Sequence, residues 1–484
     1  MSAIAGFIGE GALPKLLKML RILEHRGPDS TGLYYNGKTI KDIKPSKAYT
    51  EDLLGSSASY EFKGKMVDVA IGHNLLLTDN EISQPIGDES IIVCDGRIYN
   101  TGRGCESACE IILDFLEDHG IKALQMIMDR FDGDYSFAFF DGENIILVRD
   151  PMGAKPLYYK VGGDFIAFAS ERKALWGLGI NDTETLPPGS ALIDNKLIRL
   201  KKLPEETRTT WDYNLAKEKL RRALKEAVKE RVMGLKRVGV LFSGGVDSTL
   251  VTLLARKYTK PLLYTVGVEG SQDLIFAEKA AKELGMRTKT IKVTEDMIRD
   301  ALRPIITAIE EFNIMKIGVA MPLYFSSKAA NADGLRVILS GQGADELFGG
   351  YHRYLQIYRE DRDKLVEAFK ADIQNMYHVN LERDDATAMA TSTELRVPFL
   401  DREIINIAFN IPIKYKIKGG DDSLRKHILR DLALDMGAPD FIAKRPKKAA
   451  QYGSGIDKIL RRRILPGFDH ESFMENLKME FNGV

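Results

Sequence analysis

With 484 residues, 44% hydrophobic and 29% charged, the chain is too long for one ordinary core and has no apolar run long enough to cross a membrane. Lysine plus arginine equals aspartate plus glutamate at 69 each, which removes the long-range field that draws nucleic acid. Three cysteines, and an opening segment without the basic, apolar, small-residue order of a secretion signal, point to a soluble protein in a reducing, cytoplasmic setting.

Along the chain, β-runs come first. IAGFIG, KMVDVAIGHN, SIIVCDGRIYN, DYSFAFFDG, NIILVRD, PLYYK, FIAFAS and ALIDNKLIRL are rich in Val, Ile, Phe and Tyr, with Gly, Asp and Asn between them. Helical periodicity interrupts them at LPKLLKMLRILEHR and at SACEIILDFLEDHG. Cys105 and Cys109 lie four apart there; no further Cys or His pair completes a tetrahedral metal site, so they read as small buried hydrophobes. Strands first with a few helices predict a layered α+β domain over 1–204. From Trp211 the pattern changes to NLAKEKLRRALKEAVKERV, RVGVLFS, STLVTLLARKY and PLLYTVGV. Helix, strand, glycine turn, helix, strand is a βαβ rhythm, which predicts a parallel sheet in a second domain over 205–484, mostly helical after residue 350. No internal repeat and no low-complexity linker is visible.

In VGVLFSGGVDSTLVTLLA a strand ends in Ser243-Gly244-Gly245-Val246-Asp247-Ser248 and a helix follows at once. Two glycines let the backbone approach an anion, and the helix start aims N–H groups and a positive dipole end at it. Ser243 and Ser248 add hydroxyl donors, and Asp247 offers a carboxylate to Mg²⁺. The pattern GxxxxGK[ST] is absent, so this is not an ordinary kinase or GTPase loop.

SGGVDS resembles the pyrophosphatase loop of the N-type ATP pyrophosphatases, which make adenylates and release pyrophosphate. HRGPDSTG, QPI, IYN, FDGDYSFAFFD, VRDPMGAKPLYY, ASERKAL and LPPGS, followed by VGVEGSQD, LSGQGADELFGGYHRY, STELRVPFLD and KRPKKAAQYGSG, narrow the resemblance. Together they are similar to the glutamine-hydrolysing B type of asparagine synthetase and to its relative β-lactam synthetase, over nearly the whole chain. The resemblance implies an N-terminal class II glutamine amidotransferase-like (Ntn-type) layered domain and an α/β PP-loop ATP pyrophosphatase domain with a helical end. It implies ATP and Mg²⁺ as cofactors. Phe242, Val266, Ser340 and Gly341 align with positions that hold adenosine, Asp247 and Asp345 with the two metal carboxylates, and Lys447 with the lysine on the reacting phosphate. A hard divalent ion suits carboxylate oxygens, and a cation beside the phosphate stabilises charge that grows in the transition state.

In that family the front domain hydrolyses glutamine with an N-terminal cysteine exposed by loss of Met1. Here the second residue is Ser2. The arginine that holds the glutamine carboxylate falls on Leu75, the amide of the oxyanion hole on Asp95, the acid that pairs with the ligand ammonium on Arg97, and a further aspartate on Ala108. Each lost charged contact costs about 1.5–3 kcal/mol, and Arg97 repels an ammonium. The front domain is therefore expected to keep its fold without glutaminase activity, with Ser2 a small polar residue at the head of a buried strand.

The acceptor pocket is altered as well. Gln342 stands for a glutamate that asparagine synthetases use on the incoming amine, and glutamine takes no proton at neutral pH. The aspartate-binding segment reads Ile314 to Pro322, with its arginine on Gly318, leaving Lys316 to hold an acid. Glu346, Glu394, Arg396 and Asp401 match family positions, either lining the pocket or forming a structural ion network. The expectation is an AMP-forming ligase that joins a small carboxylate to ammonia or to a substrate amine, without nucleic acid or membrane as partner. A homodimer and a separate amine-donating protein stay open. The rival readings are a PP-loop enzyme that modifies tRNA and a regulatory protein that binds ATP without turnover.

Overall fold

The computed structural model describes residues 2–44, 60–62, 65–79, 81–101, 107–202, 211–361, 363–446 and 453–483. Its N-terminal part contains β1 (Ser2–Gly9), α1 (Ala12–Ile22), β2 (Ser30–Tyr35), β3 (Lys38–Ile43), β4 (Tyr60–Phe62), β5 (Lys65–Leu75) and β6 (Ile91–Ile98). There follow α2 (Ala108–His119), α3 (Ala123–Arg130), β7 (Gly133–Phe140), β8 (Ile145–Arg149), β9 (Tyr158–Val161), β10 (Ile166–Ala169), α4 (Arg172–Trp176), β11 (Glu184–Thr185), β12 (Ser190–Ile193) and β13 (Lys196–Arg199). One sheet runs β11-β9-β10-β1-β5-β2-β3 with β4 beside β5, and the other runs β13-β12-β8-β7-β6.

Strand β1 shows why the layers stack as they do. Ala3, Ala5 and Phe7 pack under Leu13, Leu16, Leu17 and Leu20 of α1. On the opposite face, Ile4 and Ile8 meet Ile71, Ile91, Val93 and Ala138 between the two sheets. Beyond the second sheet, Ile92, Cys94 and Phe137 bury against Ile112 and Leu116 of α2 and Leu124 and Ile127 of α3. The order is helix, sheet, sheet, helix, with the central strands β1 and β6 apolar on both faces. At Gly6 an added Cβ would stand 2.3 Å from the Phe168 ring, so the close sheet contact requires glycine.

The C-terminal part opens with α5 (Tyr213–Val232), then β14 (Arg237–Leu241), α6 (Val246–Ala255), β15 (Lys260–Gly267), α7 (Gln272–Glu283) and β16 (Thr288–Lys292). It continues with α8 (Glu295–Ile309), α9 (Ile314–Ala332), β17 (Val337–Leu339), α10 (Ala344–Phe348), α11 (Glu382–Met389) and β18 (Glu394–Arg396). The helices α12 (Arg402–Asn410), α13 (His427–Asp435) and α14 (His470–Gly483) follow. Its sheet is parallel throughout, in the order β16-β15-β14-β17-β18. Chain order reverses direction between β14 and β17, the place where open α/β sheets take their ligands. No helix among the described residues is long and apolar enough to cross a membrane.

Buried charge joins the two parts. Arg26 is wholly buried; its guanidinium donates to Asp95 at 2.9 Å, Glu171 at 3.1 Å and Asp385 at 2.8 Å. Burial alone would lower its pKa, but Asp385, Asp95 and Glu171 more than reverse this and hold it charged. Lys155 reaches Asp385 at 2.8 Å and Arg149 reaches Glu382 at 3.1 Å. From the far end of the chain, the Lys18 ammonium donates to the Asn482 carbonyl of α14 at 2.9 Å. Replacing Arg26 by Met is expected to destabilise the protein by about 3–5 kcal/mol, because three buried carboxylates lose their common partner. A denaturant midpoint equal to wild type would show that this network does not hold the junction.

His73 on β5 is fully buried, and neither ring nitrogen has a hydrogen-bond partner among the described residues. Burial lowers its pKa from 6.5 to about 3. The folded chain thus favours neutral imidazole, so the stability this group carries is complete above pH 6.5 and drains as the pH falls towards 3. His73→Leu should flatten the fall in melting temperature over that interval; an unchanged slope would contradict it.

Candidate functional site

The loop after β14 and the loop after β17 meet at the sheet's switch point. After β14, Gly244 takes φ +69°, and a Cβ there would stand 3.0 Å from the Phe276 ring and 3.1 Å from the Ala277 Cα. The Ser243 hydroxyl lies 3.3 Å from that of Ser248 and accepts from the Gly245 amide at 3.3 Å, closing the turn into α6. The first turn of α6 is Val246, Asp247 and Ser248, whose backbone N–H groups have no intrahelical acceptor. Phe242 is buried beneath, its amide donating to the Tyr264 carbonyl, and Val266 is buried on the adjacent strand.

After β17, Ser340-Gly341-Gln342-Gly343 leads into α10. The Gln342 amide donates to the Ser340 hydroxyl at 3.2 Å, and a Cβ on Gly341 would stand 2.8 Å from the Asp247 Cβ. Gly341 therefore lets the two loops touch. Asp345, in the first turn of α10, and Asp247 bind the same ammonium: Lys426 Nζ is 2.7 Å from Asp247 Oδ2 and 2.6 Å from Asp345 Oδ1. Asp247 lines a cavity with Ser243, Gly245, Lys426, Arg430 and Arg445; its carboxylate and that of Asp345, converging on Lys426, are an oxygen pair that suits Mg²⁺, and the cations beside them suit phosphate.

Lys426, Arg430 and Arg445 escape motif reading. Arg445 donates to the Ser243 carbonyl at 3.2 Å, pairs with Asp273 and lies 3.8 Å from the Phe276 ring centroid. The guanidinium of Arg430 is occupied by the backbone carbonyls of Leu424, Arg425, Ala443 and Arg445. The one signal in the sequence is the density of cations in SLRKHILRDL and AKRPKK. Lys447 lies outside the described residues; its neighbours Arg445 and Pro446 line the cavity.

The six acceptor-pocket residues scatter. Glu346 is buried beside Asp345 and accepts from Tyr351 at 2.6 Å and Asn380 at 2.8 Å, and burial followed by Asp345 raises its pKa. Gln342 is half-buried in the loop itself. Glu394, in contrast, is fully buried and bound by Arg396 and by Arg97 at 3.1 Å, and Arg396 donates to the Arg231 carbonyl at 2.6 Å. Asp401 caps α12 through the Glu403 amide and pairs with Arg231 at 3.1 Å. These three form the ion network of the junction. Lys316 pairs with Glu311 and donates to the His378 carbonyl at 3.0 Å, in a small cavity it shares with Tyr158, Arg172, Glu310, Glu382 and Arg383. Arg383 also donates to Asn380, so a chain of side chains links that cavity to Glu346.

In the N-terminal part, four of the five substituted positions face one space. Ser2 lies opposite Leu75, and Ile4 opposite His73, so all four side chains point between the sheets. Asp95 and Arg97 continue the Ile91–Val93 face of β6 towards them. Asp95 Oδ1 accepts from the Ser2 backbone nitrogen at 3.0 Å while its other oxygen binds Arg26. Arg97 is held by Asp79, Glu81 at 2.7 Å and Glu394. The Ser2 hydroxyl is buried without a hydrogen-bond partner among the described residues. Ala108 does not join them: it packs behind the sheet with Cys94, Cys109 and Ile112. Cys109 is a free, buried thiol raised in pKa by burial, and Cys105 lies outside the described residues.

The asparagine synthase family model matches residues 219–366 and 358–473, and that of the glutamine amidotransferase domain matches residues 75–177. A protein of Methanocaldococcus jannaschii, provisionally named asparagine synthetase [glutamine-hydrolyzing] 1, is 39% identical over 533 aligned positions, covering 96% of this chain and 95% of that one. Asparagine synthetase B of Escherichia coli is 29% identical, covering 91% and 79%. A glutamine-hydrolysing asparagine synthetase of Saccharomyces cerevisiae is 28% identical, covering 88% and 78%. These matches favour neither tRNA modification nor an ATP-binding scaffold. The layered N-terminal part is accordingly an Ntn-type amidotransferase fold and the parallel-sheet part a PP-loop fold, and the chain belongs to the asparagine synthetase family of ATP-dependent carbon–nitrogen ligases.

Proposed function

We propose that this cytoplasmic protein uses ATP and Mg²⁺ to adenylate a small carboxylic acid, aspartate or a close analogue, and that ammonia rather than glutamine displaces AMP to give the amide. The observation that carries this reading is the convergence of Asp247 and Asp345 on one ammonium at the switch point, beside a glycine turn that opens a helix. In this reading the backbone N–H groups of the Ser243–Ser248 loop and its two hydroxyls hold the pyrophosphate end of ATP. Phe242, Val266, Ser340 and Gly341 enclose adenosine. Asp247 and Asp345 would hold the metal, which would supply neutralisation of phosphate charge. Lys447 serves the reacting phosphate, with Arg445 fixing the approach to it. A carboxylate oxygen of the acid attacks the α-phosphorus and pyrophosphate leaves. The amine then attacks the acyl carbon, the C–O bond breaks, and AMP carries that oxygen away.

The assignment of ammonia rests on the space around Ser2. A ligand carboxylate would meet Leu75 there, its ammonium would meet Arg97, and the oxyanion would meet the Asp95 carboxylate. Arg97 is already neutralised by three acids, so the space is closed by internal charge pairs. The acid acceptor is assigned to the region between Gln342, Glu346 and the cavity of Lys316 and Arg383, where cations face a buried polar space.

With ATP, Mg²⁺ and aspartate, ammonium chloride should support amide formation while equimolar glutamine supports less than about a hundredth of that rate, a gap of about 2.7 kcal/mol in transition-state stabilisation. Glutamate released at a comparable rate from glutamine would overturn the assignment. Asp247→Asn should lower pyrophosphate release by roughly a hundredfold or more, since a hard metal loses a charged ligand. A rate within threefold of wild type would put the metal elsewhere.

A further inference from the structure

Lys426 is placed with unusual care for a lysine. It is 1% exposed, and it stands outside the two loops that bring the carboxylates together. It follows Arg425, and both adopt left-handed backbone, at φ +53° and +51°. Two consecutive non-glycine residues there are strained, and such strain persists only where the surroundings enforce it. Here Asp422 does so: its carboxylate accepts from the amides of Lys418, Leu424 and Arg425 and from the His427 ring. Room for the side chain is reserved as well. A Cβ on Gly350 would stand 2.3 Å from the Lys426 Cε and 1.8 Å from Asp345 Oδ1. The fold thus accepts a strained turn and a bare glycine in order to seat one ammonium between Asp247 and Asp345.

We propose that Lys426 is the resident counter-cation of the Asp247–Asp345 pair, holding in the nucleotide-free protein the position a divalent cation takes with ATP. The proposal rests on the reading of those carboxylates as the metal pair. Ammonium and metal compete for the same oxygens. The ammonium sits 2.6–2.7 Å from them, whereas Mg²⁺ requires about 2.1 Å, so both cannot hold the pair at once. The free protein consequently resists bare metal, and metal enters with the nucleotide, whose phosphates give the released ammonium a new anionic partner. Lys426 is a positioning residue: it keeps two like charges together while the site is empty of nucleotide.

The test uses full-length, nucleotide-free protein and Mn²⁺ as the probe, with free Mn²⁺ read by electron paramagnetic resonance. Lys426→Met is expected to bind Mn²⁺ at least about tenfold tighter than wild type, and adding Asp247→Asn to that variant should remove the gain. Lys426→Gln, which keeps a polar tip, replaces it if the Met variant does not fold. Another acidic group, Asp132, Glu230 and Asp401, has carboxylate oxygens within 4.8 Å of one another; binding there is recognised because Asp247→Asn leaves it unchanged. Equal Mn²⁺ affinity with and without Lys426, but weakened by Asp247→Asn in both, would overturn the counter-cation and keep the metal pair. Affinity insensitive to Asp247→Asn in both backgrounds would overturn the metal pair and the proposal with it.

Discussion

The structure turns on Arg26. A guanidinium removed from water is tolerable only with full charge compensation, and Asp95, Glu171 and Asp385 provide it from three separate segments. Two of these acids lie in the N-terminal layers and one on α11 of the C-terminal part. The same Asp95 holds the backbone nitrogen of Ser2, so the first strand, the junction and the parallel-sheet part share a single electrostatic knot. Lys173 and the Arg172 amide extend it to Glu310, and Arg97 to Glu394. Removing the N-terminal layers would strip Asp385, Glu382 and Glu310 of their arginine and lysine partners and leave Glu394 with Arg396 alone. The N-terminal layers thus carry a structural role in the stability of the C-terminal part.

The two parts carry their substitutions differently. Around Ser2 the replaced charges are held by other residues of the chain: Asp95 by Arg26, and Arg97 by Asp79, Glu81 and Glu394. Internal ion pairs occupy that space. At the switch point the reverse holds. Gly244, Gly341 and Gly350 stand where a Cβ would crowd Phe276, Asp247 and Asp345, so glycine lets these segments pack closely, while Lys426, Arg430 and Arg445 line the cavity beside them.

Much of this is legible in the sequence. Eight β-runs, the two early helices and the βαβ rhythm after Trp211 all appear, because period-2 and period-3.6 patterns are local. The short strands β2, β3 and β4 are not predicted; STGLYY reads as part of a glycine-bearing motif, and KTIKDI is exposed and polar. Pairings at long separation are invisible for a different reason. Arg26 meets Asp385 across 359 positions and Lys426 meets Asp247 across 179, and no local pattern encodes either. Family-aligned positions divide along the same line. Those on the loops fall together, whereas Glu394, Arg396 and Asp401 serve the junction, Ala108 serves a core, and Lys316 turns towards Glu311.

The central claim is that the C-terminal part activates a carboxyl group as an adenylate. The most direct measurement supplies aspartate labelled with ¹⁸O in its carboxylates, together with ATP, Mg²⁺ and ammonia, and weighs the nucleotide product. Adenylation of the acid yields AMP carrying one ¹⁸O, with unlabelled pyrophosphate. ADP and phosphate as products, or AMP free of label while amide accumulates, would contradict it.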